Sequence, residues 1–154
     1  MAANGYSIVS EAIRFTENSG AAAGVYSGSV VVPAGMFLID VIVHGAALWT
    51  AGTSATLIVG DVADPSGIYA AVNVKAVDLL AGESLSFSMQ GGKKGADLDS
   101  PITAADAAQV RRRALTVART LTAKVTTVGT VGTAGDTTVI FVFAYPSPVT
   151  ATFV

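Results

Sequence analysis

Cysteine is absent from this chain, and histidine occurs once, at His44. Without cysteine the chain can form no disulfide and offers no thiolate for metal binding or nucleophilic attack. With one histidine, any metal would have to be held mainly by carboxylates, so a transition-metal cluster is excluded. A serine hydrolase would need His44 as its base, and no Gly-x-Ser-x-Gly elbow is present. We therefore predict no catalytic residue, no metal and no cofactor.

Charge is also scarce. Charged residues make up 13% of the chain, about half of the usual share of roughly 25%. Nine basic and eleven acidic residues give a net charge of −2, whereas a nucleic-acid binder needs a basic excess to neutralise phosphates. We therefore predict that nucleic acid is not a partner.

Long apolar runs are missing too, although 51% of the residues are hydrophobic. The longest apolar stretch, Val30 to Trp49, is interrupted by Pro33 and Asp40, and a membrane-spanning helix needs about 20 mostly apolar residues. The N-terminal residues have no basic segment followed by an apolar one, so they do not predict a secretory signal. Apolar composition without a membrane span indicates burial of surface against protein partners.

From Val25 onward, short alternating segments are separated by glycine, proline and aspartate. Val25 to Val32 stops at Pro33, and the next segment places Phe37, Ile39, Val41 and Val43 on one face. Further strands are predicted over Ser54–Gly60, Asn73–Leu80, Glu83–Met89, Arg119–Val128 and Thr137–Tyr145, and Ile68–Val72 is a short strand or a helical turn. Six to eight short strands predict an all-β, antiparallel β-sandwich that is jelly-roll-like.

Three parts are predicted along the chain. Residues 1–24 are small and polar and form an N-terminal arm, with room for one short helix around Ser10–Phe15. Residues 25–146 form the β-sandwich domain, and residues 147–154 form an apolar C-terminal tail. Within the domain, Gln90–Pro101 is a predicted loop and Thr103–Gln109 is a candidate short helix with Thr103 as its cap.

Two loops resemble ligand-binding sequences. Asp61 and Asp64 are close enough to suggest calcium, but a turn in which their side chains accept backbone N–H groups explains them more simply. Gly91 to Gly95 is rich in glycine and lysine, but it lacks the Gly-Lys-Ser/Thr ending of a phosphate-binding loop. We predict turns at both places.

The candidate interface residues are Arg111, Arg112, Arg113, Phe141, Phe143 and Phe153. The arginine run is either a solvated loop or helix end, or a cluster that pairs with acidic groups on a neighbouring subunit. The aromatic residues belong either to the core or to a subunit interface, where aromatics are enriched. Trp49 and Tyr69 are the only candidates for a sugar-stacking platform.

The order of motifs over residues 25–145 resembles small virion structural proteins of tailed bacteriophages. The resemblance rests on the following strand and turn sequences: Val30–Gly35, Ile39–Val43, Thr50–Thr53, Ala55–Asp61, Ala63–Tyr69, Leu121–Thr127, Gly132–Gly135 and Val139–Val142. None of these carries a catalytic motif, and the arginine run lies outside the pattern.

The resemblance implies a non-enzymatic capsid decoration or cement protein that stabilises the head by binding across capsomers. Its implied partners are the major capsid protein and copies of itself, as a homotrimer. It would be made in the host cytoplasm and carried on the capsid surface. The alternatives are a carbohydrate- or receptor-binding module of a tail or fibre, and a minor tail or connector component.

Overall fold

The chain folds as an all-β sandwich of two four-stranded antiparallel sheets, which confirms the predicted fold class. A computed structural model describes residues 7–17, 24–86, 95 and 116–145. The strands are β1 (Ser7–Thr16), β2 (Val25–Val32), β3 (Phe37–Ala47), β4 (Ser54–Asp61), β5 (Tyr69–Asn73), β6 (Ser84–Leu85), β7 (Arg119–Val128) and β8 (Asp136–Tyr145). The first sheet has the order β1-β8-β3-β6, and the second has the order β2-β7-β4-β5. The jelly-roll connectivity stays a prediction.

The strand registers define two ends of the sandwich. At one end Ser7 pairs with Tyr145 in the first sheet and Val32 pairs with Arg119 in the second. The short turn through Pro33 joins β2 to β3 at this same end. We call this the Pro33 end. Trp49 and the loop before β4 lie at the opposite end, which we call the Trp49 end.

The core lies between the sheets and follows the predicted alternation. In β7, Leu121, Ala123 and Val125 are buried, and the threonine and lysine side chains between them point outward. Phe141 and Phe143 in β8 are likewise buried, with their rings stacked at a centroid distance of 6.5 Å. Alternation of apolar and polar residues gives each sheet one dry face and one wet face.

Residues 7–16 differ from the predicted arm. They form β1, which pairs with β8 from Ser7 to Thr16, and Phe15 is a core residue with 4% exposure. The short helix considered around Ser10–Phe15 is therefore wrong. β1 mixes polar and apolar residues, which suits an edge strand, because only the inward side chains near its end meet the core.

Two details of strand prediction are corrected. In β3 a bulge lies between Leu38 and Asp40, so Leu38 is buried and Ile39 is 38% exposed, although Val41 and Val43 face inward as predicted. A bulge adds one residue to a strand and inverts the alternation before it. Of the candidate strand Asn73–Leu80, only Asn73 is in a strand, as the last residue of β5. The chain turns after it, and the Asp78 carboxylate accepts the Asn73 N–H at 2.7 Å.

Several predicted segments lie outside the described residues. They include most of the Gln90–Pro101 loop, the candidate helix at Thr103–Gln109 and the C-terminal tail at 147–154. Of the predicted strand at Glu83–Met89, only the part up to Ser86 is described, and it contains β6. Within the described ranges, no helix has the length and hydropathy needed to cross a membrane.

Candidate interaction surfaces

Two of the predicted interface residues lie in the core. Phe141 is 0% exposed and Phe143 is 1% exposed, so neither ring reaches the surface of the chain. Their assignment to a subunit interface is wrong, because each packs between the two sheets of its own sandwich. Arg111, Arg112, Arg113 and Phe153 lie outside the described residues.

The two aromatic residues considered as a sugar platform are buried as well. Trp49 is 2% exposed, and its indole Nε1 donates to Thr137 Oγ1 at 2.9 Å. Tyr69 is 0% exposed, and its hydroxyl donates to the Val41 carbonyl at 2.9 Å. Burial, with a smaller effect from Asp40, raises the pKa of Tyr69 above its ordinary value. These rings cannot stack on a sugar, so the feature on which the carbohydrate-binding alternative depended is absent.

Burial of Trp49 gives a direct spectroscopic prediction. Because it is the one tryptophan of the chain, emission of the native protein should be blue-shifted, and acrylamide should quench it several-fold less than in the unfolded chain. In a Thr137→Val control, the emission should stay blue-shifted while unfolding becomes easier by about 1 kcal/mol, since only the hydrogen bond is lost. Native emission like that of the unfolded chain would contradict the packing of Trp49.

His44 lies next to a serine, but no carboxylate among the described residues hydrogen-bonds this histidine as the third member of a triad would. His44 Nδ1 and Ser84 Oγ are 2.9 Å apart on the outer face of the first sheet. Asp136 lies on the same face, and its carboxylate accepts both hydrogen bonds of the Arg14 guanidinium, at 3.0 and 2.6 Å. The hydrogen bond from Arg14 holds the pKa of Asp136 below its ordinary value. In a catalytic triad a carboxylate orients the histidine, whereas here the nearby carboxylate of Asp136 is hydrogen-bonded to Arg14 instead.

The loop from Asp61 to Gly67 is a turn held by its own carboxylates, as predicted. Asp61 Oδ1 accepts the N–H groups of Ala63 and Asp64 at 2.8 and 2.7 Å, and Arg119 binds Asp61 Oδ2. Burial raises the pKa of Asp61, but the Asp64 N–H and Arg119 outweigh it and lower the pKa overall. Among the described residues, no group of three histidine or acidic side chains is placed to hold a metal.

This turn folds back over the outer face of the second sheet. A Cβ at Gly60 would overlap the Asp64 carbonyl oxygen, so only glycine allows the turn to lie this close to β4. Pro65 at its tip forms one wall of a cavity of about 410 Å³. We call it the Lys124 cavity; it is lined by Ser27, Gly28, Ser29, Pro65, Thr122, Ala123 and Lys124.

The floor of the Lys124 cavity comes from two cross-strand pairs. Ser27 lies opposite Lys124, and Ser29 lies opposite Thr122, in the antiparallel ladder of β2 and β7. Residues directly opposite each other bring their Cβ atoms to about 4.5–5.5 Å, so the hydroxyl groups and the ammonium group converge. The period-two alternation of β7 is enough to place Lys124 on the outward face, but the cavity itself depends on the β2–β7 register and on the turn at Pro65.

A second surface is an apolar patch at the Pro33 end. Eleven large hydrophobic side chains are exposed in the described part of the chain, and seven of them lie at this end. They are Ile8 (67%), Val9 (41%), Val31 (59%), Ile39 (38%), Val62 (76%), Val117 (67%) and Tyr145 (50%). Clustered exposed apolar residues are typical of a surface that meets a partner.

Comparison with known proteins links this fold to phage capsids. No protein-family model matches the chain, and no curated protein matches it. A chain in the acidic stable capsid structure of Helicobacter pylori bacteriophage KHP30 is similar, with a TM-score of 0.58, 15% identity and 96% of each chain covered. A chain in the capsid of Ralstonia phage GP4 is also similar, with a TM-score of 0.50, 19% identity, and 93% of this chain and 86% of that chain covered. At these identities the likeness shows a shared fold.

Proposed function

We propose that this chain is a non-enzymatic structural protein of a phage virion and that it decorates the capsid surface as a homotrimer. The observation that carries the proposal is the shared fold with a chain of a phage capsid structure over 96% of both chains. Agreement over the whole sandwich favours a common structural role more than a match to one motif would. The phage-virion resemblance of the strand and turn sequences points to the same role.

The apolar patch at the Pro33 end supports binding to a protein shell. Its side chains include Ile8 and Tyr145 from the first sheet, and Val62 and Val117 from segments that flank β4 and β7 of the second. We propose that this end lies on the major capsid protein, across the seam between capsomers. A specific interface buries about 1,200–2,000 Å² in total, and contacts from three copies on one lattice add avidity.

The test is co-sedimentation of the purified full chain with capsids, combined with its mass in solution by light scattering. We expect saturable binding to capsids and a mass of three copies. Val62→Asp should weaken capsid binding by about tenfold, because it places a charge in the apolar patch. Val77→Asp is the matched control, since Val77 is 72% exposed and lies at the Trp49 end, and it should bind like the unaltered protein.

Two results would overturn this proposal. Equal capsid binding by the Val62→Asp and Val77→Asp variants would remove the Pro33 end as the docking surface. A closed ring of many copies that fails to bind capsids would indicate a tail or connector component instead of a decoration protein.

A further inference from the structure

Almost every charged side chain in the described part of the chain has a partner inside the chain. Arg14 pairs with Asp136, Arg119 pairs with Asp61, and Lys75 Nζ donates to the Ala51 carbonyl. The carboxylates of Glu17, Asp64, Asp78 and Glu83 accept hydrogen bonds from neighbouring backbone N–H groups, and Asp40 also has a partner. Within these ranges, the two charges without a partner are the ammonium group of Lys124 and the carboxylate of Glu11.

The Lys124 cavity has the chemistry of a carboxylate site. Among the described residues, its polar lining consists of the hydroxyls of Ser27, Ser29 and Thr122 and the ammonium group of Lys124, with no acidic side chain. All four groups can donate hydrogen bonds to an anionic oxygen. One ammonium group balances one carboxylate, whereas a phosphate dianion is usually held by an arginine fork or a nest of backbone N–H groups. The ring of Pro65 gives an apolar wall for the methylene groups of a glutamate.

Glu11 presents such a carboxylate on the first sheet. It lies on β1, the edge strand of the first sheet, and is exposed. Lys124 lies in the second sheet on the outward side, and no salt bridge joins the two within one chain. The donor surface and the acceptor surface are therefore different patches of the same molecule.

We infer that the Lys124 cavity of one copy binds the Glu11 carboxylate of a second copy. A contact between two different patches is heterologous, and repetition of it around a rotation axis closes a ring. Each subunit of a trimer then gives one carboxylate and receives one. This inference rests on the proposed self-association and names the contact that produces it.

The experiment is a charge exchange followed by sedimentation equilibrium over a range of protein concentrations. Lys124→Glu and Glu11→Lys should each weaken self-association by about tenfold or more, because each places like charges together. The double variant with both changes should restore association, because the pair is re-formed with its charges exchanged. High salt should weaken association of the unaltered protein and of the double variant alike.

Matched controls separate this contact from a general effect of charge. Ser54→Glu introduces a glutamate on the outer face of the second sheet away from the cavity, and Glu83→Lys reverses an exposed carboxylate at the Trp49 end. Both should associate like the unaltered protein, and circular dichroism should show every variant folded.

Three outcomes would overturn the inference: an unaltered protein that is monomeric at all concentrations, single variants that associate normally, or a double variant that does not recover. Capsid binding is measured separately. If the charge exchange restores association but the protein does not bind capsids, the proposed virion role is wrong and the Lys124–Glu11 contact stands. If a monomeric protein binds capsids, the contact is wrong and the virion role stands.

Discussion

Phe141→Ala is expected to lower the free energy of unfolding by about 3–5 kcal/mol, because it removes a fully buried ring and leaves a cavity. Phe141 lies on β8, which has β1 on one side and β3 on the other. Its ring stacks on Phe143 with an interplanar angle of 4°, so the loss includes an aromatic contact as well as buried area. The measurement is denaturant unfolding followed by circular dichroism.

Tyr145→Ala is the matched control for this prediction. Tyr145 is an aromatic residue at the end of the same strand and is 50% exposed, so its removal should cost about 1 kcal/mol or less. If Phe141 served a subunit interface, the two substitutions would have similar effects on the isolated chain and different effects on association. A loss below about 1 kcal/mol in Phe141→Ala would contradict the core assignment.

Where the strand pattern is local, the sequence predicts it well. β2 and β7 have the predicted bounds, Val25–Val32 and Arg119–Val128, because each alternates with period two and ends at glycine or proline. The Asp61–Gly67 turn is also as predicted, since its hydrogen bonds join residues two or three positions apart. Short-range chemistry of this kind is visible in the sequence.

The features that the sequence does not reveal depend on pairing between strands that are far apart in the chain. β1 has polar residues at half of its positions, and its place in the sheet is set by its pairing with β8, as in the Arg14–Asp136 pair, whose residues are 122 positions apart. The bulge at Ile39 is likewise a property of the β3–β8 register. The alternation of apolar and polar residues in one segment does not show where a bulge will insert an extra residue relative to the partner strand.

The candidate surfaces also depend on the pairing of strands that are far apart in the chain. Lys124 is one of several outward residues on β7, and only the pairing with β2 and the turn at Pro65 make it part of a cavity. Phe141 was a candidate for core and for interface alike, because apolar aromatic residues suit both environments. The apolar patch at the Pro33 end gathers residues from six strands or their flanking turns, so no single segment marks it.

A second large effect is expected at Glu17, a buried carboxylate at the Trp49 end. Glu17 is 6% exposed, and its Oε2 accepts from Thr50 N at 2.7 Å, Thr50 Oγ1 at 2.8 Å and Gly135 N at 3.1 Å. The carboxylate thereby ties the end of β1 to the loops that precede β4 and β8. Glu17→Ala should lower the free energy of unfolding by about 4 kcal/mol, because the donors lose a charged acceptor, and Glu17→Gln by about 2 kcal/mol.

Glu83→Gln provides the control for the loss of charge. The Glu83 carboxylate is exposed and accepts one hydrogen bond, from Leu80 N at 2.9 Å, so the change should cost about 0.5 kcal/mol. Equal effects of Glu17→Gln and Glu83→Gln on unfolding would show that the Glu17 carboxylate does not hold the loops together.

The stabilisation from Glu17 should also depend on pH. Burial by itself raises the pKa of Glu17, but the hydrogen bonds from Thr50, Gly135 and Ala51 outweigh it and hold the pKa below its ordinary value of 4.5. The unfolded chain therefore takes up the proton first as the pH falls, and the native state loses stability relative to it. The difference in unfolding free energy between the unaltered protein and Glu17→Gln should be constant above pH 4.5 and shrink as the pH falls below it. Denaturant unfolding at a series of pH values measures this difference, and a difference that grows toward acid pH would mean that the folded state raises the pKa of Glu17.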